Sequence, residues 1–381
     1  MEREGQKVKA LYFLFRDAAP ISPTKLSTSP PESNKGSAGH KMDSLSTANI
    51  EFCLDVFKEL NNNHVEDNIF FSPLSLLYAL SMILLGARGN SAEQMEKVLH
   101  FNHIAESLKP KFKDSAKCSQ TGRIHSEFGA LFSQINQPDS NYTLSIANRL
   151  YGTQTKAFYQ QYLSCSEKLY QARLQAVDFQ KSTEETRKTI NAWVASKTNG
   201  KITNLFGKGT IDPSSVMVLV NAIYFKGQWQ NKFLERETIK TPFRLSEIEK
   251  RLNSKMFHKW TSSSNMMERN VEVHLPRFKL EIKYELNSLL KSLGMTDVFH
   301  QSKADLSGMS PAKGLYLSKV IHKSYVDVNE EGTEAAAATG DNFVMKRLPI
   351  RAQFMANHPF LFFIRHTGTN TILFCGKLAS P

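Results

Sequence analysis

The sequence predicts an α+β fold, and three features carry the prediction. Helical patterns with capping signals occur between Ser44 and Gly200. Strand-length runs of β-branched and aromatic residues, Val216–Phe225, Pro359–Ile364 and Thr371–Phe374, lie in its second half. A chain of 381 residues that is 41% hydrophobic, with 25 Phe, can fill one large core or two smaller ones.

Taken in order, the elements are these. From Ser44, the residues Ile50, Cys53, Leu54, Phe57 and Leu60 recur at helical spacing and form one apolar face. Ser72-Pro73 reads as an N-cap followed by a first-turn proline, and Gly86 as a stop. The helix between them is apolar nearly all round and should be buried. Ser182-Thr183-Glu184-Glu185 reads as a capping box. It opens a helix carrying Ile190, Trp193 and Val194, which closes near Gly200. Val216–Phe225 reads as a buried strand. Pro359–Ile364 and Thr371–Phe374 read as a hairpin whose turn is His366 to Asn370.

Residues 1–41 differ from the rest. An apolar stretch at 8–15, VKALYFLF, precedes Pro20, Pro23, Pro30 and Pro31 set among Ser, Thr and Gly, a composition that predicts disorder. The apolar stretch is short and is followed at once by Arg16 and Asp17, which argues against a cleavable signal peptide.

Composition narrows function. No apolar run reaches the roughly 18 residues of a membrane span, and the longest, Leu74 to Leu85, is interrupted by Ser75 and Ser81, so no membrane partner is expected. The four cysteines, Cys53, Cys118, Cys165 and Cys375, show no paired spacing, and neither a disulfide framework nor a metal site is expected. This suits the cytoplasm, with export lacking a cleavable signal peptide as the alternative. The net charge of +12 would attract polyanions, but the charges are scattered. The densest group, Lys109, Lys111, Lys113 and Lys117, falls in a predicted loop. A solvated basic surface is the preferred reading, with no specific nucleic-acid site and polyanion binding as the alternative. There is no G-x-S-x-G, H-E-x-x-H, P-loop or G-x-G-x-x-G pattern, so no catalytic residue, cofactor or metal is assigned.

Residues 330–350, EEGTEAAAATGDNFVMKRLPI, are ambiguous by themselves. Ala335–Ala338 favour helix by propensity. Yet the run is short, is bracketed by Gly332 and Gly340, and has no apolar face to bury. As a strand, Thr333, Ala335, Ala337 and Thr339 share one face, and Glu334, Ala336 and Ala338 the other. Small side chains of this kind could enter a packed sheet without the roughly 1–3 kcal/mol cost of overpacking. An alanine-rich surface linker and a segment that is loop and strand in turn both remain open.

The segment EEGTEAAAAT resembles the reactive-loop hinge of serpins. Further stretches resemble serpin motifs in family order: NIFFSPLSLLYALSMILLGAR at 68–88, VMVLVNAIYFKGQW at 216–229, KVIHKSYVDV at 319–328 and NHPFLFFIRHTGTNTILFCGKLASP at the end. The similarity runs from Met42 to Pro381, and its start, MDSLSTANIEFCLDVFKELN, resembles the ovalbumin-type intracellular clade, clade B. The resemblance implies a monomeric serpin-like α+β fold with three β-sheets and about eight to nine helices. It implies one domain over 42–381, a reactive-centre loop at about 329–350, and a helix after Ser182 covering the front of the main sheet. Leu144–Tyr151, Lys279–Tyr284 and Leu315–Val328 would join Val216–Phe225 in that sheet.

The resemblance also assigns roles. The hinge is Glu330, Glu331, Gly332, Thr333, Glu334, Ala335, Ala336, Ala337, Ala338 and Thr339. The shutter, where the sheet parts, uses Ser72, Asn221 and His322, and the breach, where the loop first enters, has Trp229. The scissile bond would be Lys346-Arg347, with Arg347-Leu348 as the neighbouring alternative. A basic residue before that bond implies a trypsin-like serine protease as partner, since an acid in the protease pocket selects it. Such a protease would form an acyl-enzyme on the loop. The cut hinge would then insert as a new strand, releasing stored metastability and disabling the attached protease.

The chain departs from the family pattern after Glu235–Phe243, ERETIKTPF. The family would continue with strands of its second and third sheets and a motif resembling E-L-P-Y. Here Arg244–Glu247 runs directly into Ile248–Leu252, which resembles the start of a later helix. From Met42 the chain has 340 residues. That is roughly 50 fewer than this large single-domain fold requires. An internal deletion near 247–248 is therefore expected, and with it lost neighbours for Pro359–Ile364 and Thr371–Phe374. A non-inhibitory or misfolding-prone variant is the alternative function.

Overall fold

The computed structural model describes residues 11–14, 39–63, 65–102, 118, 123–136, 142–229, 231–243, 253–262, 271–331 and 352–381. Its elements in chain order are β1 Leu11–Leu14, α1 Gly39–Asn63, β2 Ile69–Phe71, α2 Pro73–Gly86, α3 Gly89–Val98 and α4 Arg123–Ile135. Next come β3 Tyr142–Thr153, α5 Gln160–Tyr170, β4 Gln175–Val177, α6 Thr183–Lys197 and β5 Met217–Gly227. The last are α7 Ser254–Thr261, β6 Val271–His274, β7 Phe278–Glu285, α8 Asn287–Ser292, β8 Lys319–Val328, β9 Ala352–Met355, β10 Phe360–His366 and β11 Thr371–Leu378.

Local chemistry explains α2 well. The Ser72 backbone is extended, its hydroxyl accepts from the Ser75 amide at 3.2 Å, and Pro73 needs no partner for a missing N–H. Every residue from Pro73 to Gly86 is buried. The face of α1 made by Ile50, Cys53, Leu54, Phe57 and Leu60 is buried as its spacing predicts. The capping box at α6 does not form. The Ser182 backbone, at ψ 40°, is not in the extended cap conformation, and its side chain caps nothing. Glu184 instead grips Arg187 at 2.9 and 2.6 Å, and Arg187 donates to the Phe206 carbonyl. The helix still ends near Gly200, which adopts φ +73°.

Five strands form the main sheet in the order β4-β3-β5-β8-β7. Alternation along β5 divides its two faces. Val218, Val220, Ala222 and Tyr224 pack with Ile190 and Val194 of α6 on the front. Met217, Leu219, Ile223 and Phe225 face the larger core that contains α2. A second sheet has the order β1-β10-β11-β2, and β6 pairs with β9 in a third. The hairpin of β10 and β11 turns at the expected residues, and every residue in both strands is buried.

Two expectations need correction. Disorder over residues 1–41 does not extend to Leu11–Leu14, which pair with β10, nor to residues 39–41, which belong to α1. Cys118 and Cys165 are disulfide-bonded, although their spacing suggested no pairing. They are 47 residues apart and meet only through packing, which no local pattern can show. Cys53 and Cys375 are buried and outside any disulfide. The residues from Arg244 to Leu252, with the suspected junction at 247–248, lie outside the described residues. The next described helix, α7, starts where Asn253 caps the Met256 amide at 2.9 Å.

Candidate functional site in the main sheet

The centre of the main sheet is a seam between two parallel strands. Beta strands 5 and 8 pair from Val218 opposite Lys319 to Tyr224 opposite Tyr325, whereas β3 with β5 and β7 with β8 are antiparallel. Asn221 stands directly opposite His322 across this seam. Both are fully buried, as is Ser72.

The three predicted shutter residues form one cluster. The Ser72 amide donates to His322 Nε2 at 3.1 Å. The imidazole proton therefore sits on Nδ1, which donates to Asn221 Oδ1 at 2.7 Å. The same oxygen accepts from the Ser75 hydroxyl, and Asn221 Nδ2 returns a bond to the Ser75 carbonyl at 3.3 Å. Burial pushes the His322 pKa down to about 3, so the ring is neutral at ordinary pH. The seam is thus bridged by satisfied but uncharged bonds, tied to the start of α2. Separating the strands breaks these bonds without exposing a buried charge.

Two further participants escaped the sequence reading. The Ser324 hydroxyl donates to the Phe70 carbonyl at 2.8 Å. The Tyr284 hydroxyl accepts from the Phe70 amide at 3.3 Å. Ser324 lies two residues from His322, so strand alternation could have placed it on the same face. Tyr284 had no comparable signal, because its partner is 214 residues away.

At the exit end of the seam, chain following β8 is fastened to chain following β5. Trp229 Nε1 donates to the Asn329 carbonyl at 2.8 Å, and the Trp229 amide to the Glu331 carbonyl at 3.1 Å. Phe233 donates its amide to the Glu330 carbonyl and packs its ring edge-to-face with Trp229. Burial opposes the charge on Glu330, but the Thr238 hydroxyl, the residue's own amide and Arg277 outweigh it, holding its carboxyl below the usual range. Glu330 and Glu331, the first two residues of the predicted hinge, are thus fastened beside Trp229, the predicted breach residue. Gly332, Thr333, Glu334, Ala335, Ala336, Ala337, Ala338, Thr339, Lys346 and Arg347 lie outside the described residues.

The sequence model of one family, described as Serpin (serine protease inhibitor), matches residues 47–247 and 244–381. The chain belongs to the serpin family. Serpin B11 of Homo sapiens is 71% identical to this serpin over 392 aligned positions, which cover 89% of the chain and 100% of that protein. Serpin B11 of Mus musculus is 58% identical with the same coverage. The leukocyte elastase inhibitor of Equus caballus is 41% identical, again with 89% of this serpin and 100% of the relative aligned. Among solved structures, uncleaved ovalbumin superposes with a TM-score of 0.77 at 34% identity, covering 89% of this serpin and 100% of ovalbumin. A crystal structure of maspin superposes at 0.76 with 28% identity, covering 90% and 100% of the two chains. The fold is the α+β serpin fold. Among the described residues no helix of this serpin is long and apolar enough to cross a membrane.

Proposed function

We propose that this serpin inhibits a trypsin-like serine protease by loop cleavage and strand insertion. The parallel seam between β5 and β8, with the hinge's first residues fastened at its exit end, is the observation that carries this reading. Chain that turns back after Glu331 and enters the seam would run antiparallel to both neighbours. One parallel ladder would become two antiparallel ones, which are somewhat more stable per residue. Small residues at Thr333, Ala335, Ala337 and Thr339 suit entry into so tightly packed a sheet.

The reaction preceding insertion belongs to the protease. Its serine oxygen attacks the Lys346 carbonyl, an ester forms there, and the Arg347 amine leaves with the proton. Insertion then competes with hydrolysis of that ester. No cofactor takes part, and one monomer would hold one protease. Trypsin should form a covalent complex that survives SDS, and an elastase should not. Lys346→Ala should sharply reduce that complex unless cleavage moves to Arg347-Leu348. Sequencing of the released fragment separates the two, and a start other than Arg347 or Leu348 rejects this register.

One observation favours a second reading, a non-inhibitory or misfolding-prone variant with a deletion near 247–248. The family match divides into two segments that meet at residues 244–247. In addition, 89% of this chain is about 340 residues, set against 392 aligned positions in Serpin B11. Loop cleavage by trypsin without a covalent complex would decide for this reading. Heparin retention that salt abolishes would instead point to polyanion binding. We place the protein in the cytoplasm, while the Cys118–Cys165 bond supports the extracellular alternative, since disulfides persist in oxidising compartments. Counting thiols in the native protein distinguishes the two.

A further inference from the structure

Strand β10 poses a hydrogen-bonding problem that the N-terminal segment solves. Both faces of β10 are covered. Phe363 packs against Phe257 of α7 at 5.0 Å between ring centroids, and Phe362 packs against Phe70 and Phe278 at 5.9 and 5.5 Å. All seven residues of the strand are buried. One of its backbone edges pairs with β11. The other edge, among the described residues, pairs with β1 alone. Buried backbone donors and acceptors left without partners are costly, and an open apolar edge invites wrong pairing.

The pairing of β1 is antiparallel and regular. Leu11, Tyr12, Phe13 and Leu14 stand opposite Ile364, Phe363, Phe362 and Leu361 in turn. These four residues lie within the apolar stretch VKALYFLF, flanked by Lys7 and Arg16. Serpin B11 aligns over its whole length with 89% of this chain, so about 40 residues here have no counterpart in it. The family match begins at residue 47. The strand completing this sheet therefore comes from outside the matched region. In the sequence 24 residues, 15–38, separate it from α1.

We infer that Leu11–Leu14 form an internally supplied edge strand, and that the edge of β10 they occupy is an acceptor site for an extended apolar peptide of the type KVKALYFLFRD. The recognition is β-augmentation: backbone bonds supply the affinity, and apolar residues suit the site because its surroundings are buried. This inference goes beyond protease inhibition and holds whichever loop bond is cut.

Two measurements test it. In the full-length chain, Leu14→Cys combined with Leu361→Cys should cross-link within one molecule under mild oxidation. The one-residue-shifted pair, Leu14→Cys with Phe362→Cys, should not, since adjacent strand residues leave opposite faces. Absence of the in-register cross-link, equal yield from the shifted pair, or cross-linking only between molecules would overturn the inference. In the second measurement residues 1–38 are removed. The amides of Leu361–Ile364 that face β1 should exchange with solvent about tenfold faster or more. Added peptide KVKALYFLFRD should restore their protection. Unchanged protection on removal, or no recovery with peptide in a folded truncated chain, would likewise overturn it. If the truncated chain does not fold, the cross-link in the full chain decides.

Discussion

His322 shows how one side chain can both lock and limit this molecule. Its ring accepts at Nε2 and donates at Nδ1, an arrangement that only the neutral form can make. In the unfolded chain the ring would titrate near its ordinary 6.5, whereas burial lowers the folded value to about 3. Between those values the unfolded state binds more protons, so stability falls as pH drops from about 6.5 towards 3. At pH 5 the loss from this residue is on the order of 2 kcal/mol. His125 is held down to about 3 by burial and secondarily by Arg88, and His366 is lowered by burial, so both act in the same direction. His322→Gln keeps one donor and one acceptor but does not titrate. Urea midpoints at pH 7 and pH 5 should therefore lie closer together in that variant than in the parent. Equal spacing would mean that His322 does not carry its share.

At the scale of elements, the seam and the hairpin place opposite demands on side-chain size. On the proposed function the seam must admit a strand. Thr333→Arg would force a long charged group toward a packed sheet as insertion begins. The protease should then cut the loop at the usual rate while the covalent complex disappears. An undiminished complex would show that Thr333 stays out of the sheet. The hairpin must not open. Gly376 stands opposite Phe362, and a Cβ on it would overlap the Phe362 ring. Gly376→Ala should therefore destabilise the fold by about 1–3 kcal/mol, read as a lower denaturant midpoint with an unchanged slope.

The whole molecule rests on one large core shared by α1, α2, the hairpin and the back of the main sheet. Exposing a single buried Phe or Leu forfeits roughly 1.5–3 kcal/mol, against a typical net stability of about 5–15 kcal/mol. On the deletion reading, a chain with the missing segment restored between Glu247 and Ile248 should melt higher and bind less of a dye for apolar surface. It should also form more trypsin complex. Equal melting and equal trapping by the short chain would refute the view that the deletion is disabling. The restored strands would compete with β1 for the β10 edge. Removal of residues 1–38 should therefore cost stability in the short chain and little in the restored one.

Much of this was legible in residues because the deciding chemistry is local. Ser72, Pro73 and the unbroken apolar run that follows specify a buried, capped helix without reference to anything distant. Alternating residues fix which side of β5 meets α6. The motifs identify the family, and the resemblance directs attention to Ser72, Asn221, His322 and Trp229. The contacts themselves were not legible. Ser72 meets His322 across 250 residues and Asn221 meets it across 101, and only strand register brings them within bonding distance. The bond between Cys118 and Cys165 and the role of Tyr284 depend on packing in the same way. Residues 8–15 are the clearest case. Their composition sets only that they are apolar, and a strand of that length has no stability alone. Pairing with β10, assembled from the far end of the chain, is what gives Leu11–Leu14 among them a structure.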